Sequence, residues 1–155
     1  TVLAGLIYPK SRGTISLASS NPAQAPLMDP HYFEDDRDMQ TLIKGVELAR
    51  AFSQTEPLKQ YIRSEAVPGA QAQTEEAIRT HIRRCGRTIY HPVGTCKMGV
   101  DPMAVVDPEL KVIGIENLRV VDASIMPEIV GGNTNAPTIM IGEKAADMIK
   151  ASQGS

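Results

Sequence analysis

The chain has 155 residues, of which 42% are hydrophobic, 22% charged and 4% aromatic. This composition is typical of a globular protein and excludes intrinsic disorder and collagen-like or low-complexity classes. Sixteen basic and eighteen acidic residues give a net charge of −2, so there is no electrostatic basis for nucleic-acid binding. No apolar run reaches the roughly 18 residues of a membrane helix, so we expect no transmembrane segment. Two cysteines cannot form a disulfide scaffold.

The first thirty residues predict extended structure. Ile15 and Leu17 alternate with small or polar residues within residues 10–20, which is the period-two pattern of a strand. Three prolines follow within residues 21–30, and they predict an extended or turning segment at the surface.

Helical periodicity begins at Asp35, and residues 35–52 predict the first long helix. Three acidic residues at its front suit the positive end of a helix dipole. Two further helices are predicted, a short one over residues 58–64 and a longer one over residues 74–85. Thr74 is a suitable N-cap for the longer helix, and Gly86 is a suitable stop. The apolar residues that repeat at helical spacing in the first helix are Met39, Leu42, Ile43, Val46, Ala49 and Phe52.

The second half of the chain changes to short strands and turns rich in glycine and proline. Strands are predicted over residues 88–90, 111–113 and 118–121, and a last helix over residues 137–150. Pro137 suits the first turn of that helix. Since strands and helices are clustered and do not alternate, the pattern favours an α+β fold.

A metal site is one candidate for the chemistry of this chain. His81 and Cys85 are four residues apart on a predicted helix, and His91 and Cys96 follow within eleven residues of Cys85. Four such groups could in principle bind zinc, yet no paired ligand spacing supports a site. Cysteine is also common as a small buried apolar residue. We therefore predict no metal ligands.

His91 is a candidate for proton transfer. It follows a predicted strand and precedes Pro92, which restricts the histidine to extended conformations. A histidine with a pKa near neutrality is the usual general base in enzymes. The alternative is a structural histidine hydrogen-bonded to a backbone carbonyl, and local sequence alone favours that alternative.

The segment before the last helix is the second candidate site. Its glycines and Asn135 lead into the helix start, whose free N–H groups suit a negative charge or a polarised carbonyl. Asn135 could either cap the helix or donate a hydrogen bond to a substrate oxygen. Asp122 ends a predicted strand, where it could either face a ligand or simply cap a turn.

Three ordered motifs in this chain resemble the C-terminal half of the glucose–methanol–choline (GMC) oxidoreductases. The motifs are YHPVGTCKMG over residues 90–99, DPELKVIGIENLRVVDASIMP over residues 107–127 and GGNTNAPTIMIGEKAADMI over residues 131–149. The opening segment over residues 9–33 also resembles the family's entry into its substrate domain. The resemblance implies an antiparallel-sheet substrate domain with flanking helices, followed by a return segment and helix that complete an FAD-binding domain. It therefore implies a substrate-binding part over residues 1–88 and a catalytic-histidine and return part over residues 89–151.

The same resemblance implies a function and a set of site residues. The family oxidises alcohols with FAD, and it includes choline dehydrogenases and alcohol dehydrogenases. His91 matches the catalytic base, and Asn135 matches a second catalytic residue that binds the alcohol oxygen while hydride moves to flavin N5. If residues 88–90 form a strand, Ile89 lies on the same side as His91 and lines the substrate pocket. The resemblance implies that the following residues contact FAD: Asp122, Ala123, Asn135, Pro137 and Thr138.

The glycine-rich motif that holds the ADP part of FAD in this family is absent from these 155 residues. We therefore expect a fragment that binds FAD only with the missing N-terminal half and that self-associates without it. The expected partners are a small alcohol and that missing half, and the expected location is the cytoplasm or the periphery of the inner membrane. The alternative is a non-catalytic interaction module that retains the flavin-domain motifs only for packing.

Overall fold

The computed structural model describes residues 2–153, which form two compact units. The first unit runs up to Thr88, and the second begins at Ile89. Within the described residues, no helix is both long and apolar enough to cross a membrane. An antiparallel strand pair comes first in the chain and three α-helices follow it, so the predicted α+β class is confirmed.

The first unit opens with two short antiparallel strands. Strand β1 covers Thr14–Ser16 and strand β2 covers Leu27–Asp29, with Ile15 opposite Met28. The predicted strand and the predicted extended segment are therefore both confirmed, although β1 ends before Leu17.

Two helices form the core of the first unit, as their periodicity predicts. Helix α1 covers Asp36–Ser53, and its N-cap Asp35 accepts a hydrogen bond from the Arg37 backbone N–H at 2.9 Å. Helix α2 covers Glu75–Cys85, and its N-cap Thr74 accepts from the Ala77 N–H at 3.2 Å. The buried side chains that pack between these helices are Met39, Ile43, Ile78 and Ile82.

The predicted helix over residues 58–64 is shorter than expected. It is a single 3₁₀ turn, Leu58–Tyr61, and no side chain caps its start. Ile62 is already extended, with φ −102° and ψ 116°, which ends the helix there.

Asp38 joins α1 to the segment before β1. Its side chain is buried, and its two carboxylate oxygens accept from the backbone N–H groups of Lys10 at 2.7 Å and Ser11 at 2.8 Å. Burial raises the pKa of Asp38, but the hydrogen bonds from Ser11 and Lys10 outweigh it and hold the pKa below the usual 3.8. The charged carboxylate therefore stabilises the folded unit.

Asp38→Asn should lower the free energy of unfolding by about 1–3 kcal/mol, because an amide cannot accept from both N–H groups. Since the folded pKa is depressed, the native carboxylate contributes stability above pH 3.8 that is lost as the pH falls through the folded pKa. Denaturant unfolding followed from roughly pH 5 down to about pH 2, where a carboxylate with a depressed pKa loses its contribution, should show that loss in the parent and a weaker one in the variant. Asp36→Asn is the control, since exposed Asp36 pairs with Arg79 at the surface. Equal effects of the two variants would contradict this role of Asp38.

The second unit has far less regular structure than predicted. The predicted strand over residues 88–90 is wrong, since these residues form no strand and Tyr90 has φ 66°, a left-handed conformation that no strand contains. The strands over residues 111–113 and 118–121 reduce to isolated bridges, including one between Lys111 and Arg119. Left-handed Leu110 and Gly114 bend the chain on both sides of residues 111–113.

Helix α3 covers Asn135–Gln153 and anchors the second unit. It begins two residues earlier than predicted. Ile141 and Ala145, one turn apart, are buried, whereas Ile139 and Met140 are 58% and 57% exposed. The core that packs on α3 contains Val106, Leu110, Ile125, Met126, Ile141 and Ala145.

Candidate active site

His91 lies within the second unit, and both nitrogens of its ring have a partner. Nδ1 is 2.8 Å from Oγ1 of Thr134, and Nε2 is 3.2 Å from Nδ2 of Asn133. The ring is half-buried. Both partners are side chains. These contacts therefore differ from the alternative, in which a backbone carbonyl holds the ring.

The partners of His91 stand at the start of α3. Thr134 is only 9% exposed, and its carbonyl accepts from the Thr138 backbone N–H at 3.0 Å and the Thr138 hydroxyl at 2.6 Å. Thr134 therefore occupies the N-cap position, with its main chain held by the first turn. Asn133, in contrast, is exposed.

Asn135 is the first residue of α3 and is exposed. The interpretation of Asn135 as the helix cap is therefore wrong, because the cap position belongs to the residue before it. Pro137 and Thr138 follow in the same turn and are half-buried. No acidic residue lies in this first turn, so the positive end of a 19-residue helix remains open to a negatively charged or polarised group.

Asp122 caps the short 3₁₀ helix Ala123–Ile125 by accepting from the Ser124 N–H at 2.8 Å. The capping alternative is thus confirmed for this residue. Asp122 is exposed, and Ala123 packs on the core of the second unit. A role in contacting a cofactor stays a prediction for both residues.

Backbone hydrogen bonds join the segment after His91 to the segment that carries Asp122. The N–H of Cys96 donates to the Ser124 carbonyl at 3.0 Å, and the N–H of Met98 donates to the Ile125 carbonyl at 2.7 Å. Gly94 has φ 88°, and a Cβ there would lie 3.3 Å from the Met126 carbonyl oxygen. The close approach of these segments therefore favours glycine at this position.

Ile89 is 59% exposed. Because Tyr90 is left-handed, strand alternation gives no basis for placing Ile89 on the same side as His91. Its contact with substrate stays a prediction.

The described part of the chain brings together no three histidine, cysteine, aspartate or glutamate side chains that could hold a metal ion. His81 Nδ1 and Cys85 Sγ do lie 3.7 Å apart on α2, as their spacing predicts.

Sequence reasoning missed Asn133 and Thr134 as partners of His91. One signal was available in the sequence. An N-cap side chain bonds the N–H of the second or third helical residue, and the third residue of α3 is Pro137, which has no N–H. A threonine three positions before a proline at a helix start can thus bond elsewhere.

The chain matches known proteins over most of its length. Residues 9–142 match the profile of the GMC oxidoreductases. The chain is 52% identical over 143 residues to an alcohol dehydrogenase [acceptor] of Pseudomonas putida, covering 92% of this chain and 26% of that protein. It is 46% identical over 151 residues to the mitochondrial choline dehydrogenase of Mus musculus, covering 96% of this chain and 25% of that protein.

Solved structures give the same relationship. An FAD-dependent oxidoreductase from Chaetomium thermophilum aligns with a TM-score of 0.89 and 32% identity, over 95% of this chain and 26% of that one. Pyridoxine 4-oxidase from Mesorbium loti aligns with a TM-score of 0.85 and 33% identity, over 91% of this chain and 28% of that one. The chain spans about a quarter of the length of the curated relatives that it matches. On the extent of these matches, the chain belongs to the GMC oxidoreductase family.

Proposed function

We propose that this chain forms the histidine-bearing part of an FAD-dependent oxidoreductase that converts a primary alcohol, choline or another, to an aldehyde. The observation that carries the proposal is the His91 ring, held through both nitrogens at the start of α3. A histidine here can accept the proton of an alcohol hydroxyl. The positive end of the adjacent helix would stabilise the negative charge that the flavin gains as it is reduced. Relatives named alcohol dehydrogenase and choline dehydrogenase support the substrate class.

The residues present fit the flavin. The start of α3 offers N–H groups without intrahelical partners and no competing carboxylate in its first turn. Asn135, Pro137 and Thr138 would lie at the flavin ring, and Asp122 and Ala123 would lie at the ribityl–diphosphate. When bound, FAD would supply the hydride acceptor, N5 of the ring.

In this proposal His91 is the general base. Its Nε2 takes the proton of the alcohol hydroxyl, and the hydroxyl replaces the hydrogen bond that Asn133 now donates to that nitrogen. Asn133 is exposed, so it can move aside when substrate enters. Asn135 donates a hydrogen bond to the alcohol oxygen and orients the carbon that loses the hydride. Ile89 supplies apolar surface for the substrate.

A chimera tests this function. This chain replaces the matching quarter of the Pseudomonas putida relative, and the purified protein is assayed for bound flavin and for oxidation of choline and of an uncharged primary alcohol. We expect bound flavin and oxidation of at least one of the two. Loss of flavin would contradict the cofactor assignment, and bound flavin without oxidation of either alcohol would contradict the catalytic one.

Asn135→Asp separates a catalytic donor from a structural residue. Aspartate in the first turn of a helix stabilises it through the dipole, so we expect the melting temperature of the chimera to hold or rise. Turnover should fall roughly 10²-fold, because a carboxylate cannot donate to the alcohol oxygen and repels its developing charge. Asn117→Asp in an exposed turn of the same unit is the control and should retain turnover. Full activity of Asn135→Asp would contradict the role.

A further inference from the structure

We propose that Thr134 is the positioning residue that sets the tautomer of His91. By accepting a hydrogen bond from Nδ1–H, it leaves the lone pair of the neutral ring on Nε2, the nitrogen that takes the substrate proton. This inference rests on the proposed function for its catalytic consequence, but the tautomer itself can be measured independently.

The partners of the ring assign the proton. The atom of Asn133 that faces Nε2 is the amide nitrogen, at 3.2 Å, and an amide nitrogen can only donate. Nε2 of the neutral ring must then accept, which places the ring proton on Nδ1. The Thr134 hydroxyl oxygen, 2.8 Å from Nδ1, is positioned to accept that proton.

The helix start leaves the Thr134 hydroxyl available for this contact. Thr134 occupies the N-cap position, where a threonine oxygen ordinarily accepts from the N–H of the second or third helical residue. The third residue of α3 is Pro137, which has no N–H. The sequence thus removes one of the two usual capping donors, and the Thr134 hydroxyl oxygen lies 2.8 Å from Nδ1 of His91.

Thr134 is also the more rigid of the two partners. It is buried, its β-branched side chain has few rotamers, and Thr138 bonds its carbonyl twice. Two turns further, Ile141 lies in the core and fixes the position of the helix. Substrate can therefore displace Asn133 from Nε2 while Thr134 keeps the ring oriented.

The tautomer can be read directly by NMR. In this chain labelled with ¹⁵N-histidine, at a pH where the ring is neutral, we expect a protonated Nδ1 and an unprotonated Nε2 for His91. His91→Gln identifies its signals among the three histidines. Thr134→Val removes the hydroxyl at nearly constant volume and should shift the population toward Nε2–H, whereas Thr134→Ser should not. A wild-type ring protonated at Nε2, or a valine variant unchanged from wild type, would overturn the proposal.

The chimera tests the consequence. A general base typically raises the reaction rate 10²- to 10⁴-fold. Because Thr134→Val removes only the positioning of that base, we expect kcat to fall by less, roughly 10- to 100-fold. KM and bound flavin should change less than about threefold, and Thr134→Ser should restore turnover. If Thr134 were merely structural, Thr134→Val would lower the flavin content and the melting temperature together. That result would overturn the proposal. If the unmutated chimera oxidises no alcohol, the proposed function fails, and the NMR measurement still decides the role of Thr134.

Discussion

His91→Ala should lower alcohol oxidation by the chimera roughly 10²- to 10⁴-fold, which is the usual contribution of a general base. Flavin should remain bound, because His91 contacts Asn133 and Thr134 and lies outside the residues proposed to hold the cofactor. Steady-state kinetics with saturating electron acceptor, together with the flavin absorbance of the same sample, give both quantities. The ratio of kcat to KM then reports the lost stabilisation of the transition state.

His81→Ala is the matched control for that experiment. His81 lies on α2 in the first unit, where its ring is near the Cys85 sulfur. We expect its turnover within about threefold of the parent chimera, as for a position without a part in the reaction. If the two alanine variants lost activity equally, or if His91→Ala kept turnover within that range, His91 would not be the base.

The isolated 155-residue chain should bind no flavin, oxidise no alcohol and self-associate. Its sequence lacks the glycine-rich motif for the ADP part of FAD, so only part of the cofactor would find a partner. Ile139 and Met140 on α3 are more than half exposed, and such apolar surface favours association. Light scattering measures the association, an absorbance scan of the same sample measures bound flavin, and an assay with alcohol and an electron acceptor measures oxidation.

Substitutions distinguish association through α3 from nonspecific association through other apolar surface. The double variant Ile139→Lys, Met140→Lys should lower the apparent mass of the isolated chain. Leu48→Lys, Phe52→Lys, a matched double change at exposed apolar residues of α1, should not. A chain that is strictly monomeric and binds FAD tightly would contradict the expectation.

The helices of the first unit were predictable because their signals are local. Asp35 and Thr74 cap them as their positions indicate, and the apolar spacing in α1 and α2 places Met39 and Ile78 in the core. Caps and periodicity act within a few residues, so sequence alone carries them.

In the second unit, local sequence patterns did not predict the backbone conformation. The predicted strands require extended backbone. Tyr90, in the first of them, and Leu110, just before residues 111–113, are left-handed although neither is glycine, and no local sequence pattern predicts this conformation. The backbone of Leu110 is hydrogen-bonded on both sides within the unit: its N–H donates to the Asp107 carbonyl at 2.9 Å, and its carbonyl accepts from the Val120 N–H at 3.2 Å.

The candidate site was predictable in part. His91 and the start of α3 could be identified from the sequence and the family resemblance. The contacts from His91 to Asn133 and Thr134 could not, because they join positions 42 and 43 residues apart and depend on how the unit folds. The shift of the helix start to Asn135 then decided which residue is the cap.

The most direct test of His91 as the base is anaerobic reduction of the chimera's flavin by alcohol in a single turnover. Without an electron acceptor, the loss of oxidised-flavin absorbance reports hydride transfer alone. We expect rapid bleaching that slows severalfold when the reacting carbon carries deuterium, and bleaching slower by roughly 10²-fold or more in His91→Ala. Bleaching of the His91→Ala chimera at the parent rate, with the same isotope effect, would contradict this role.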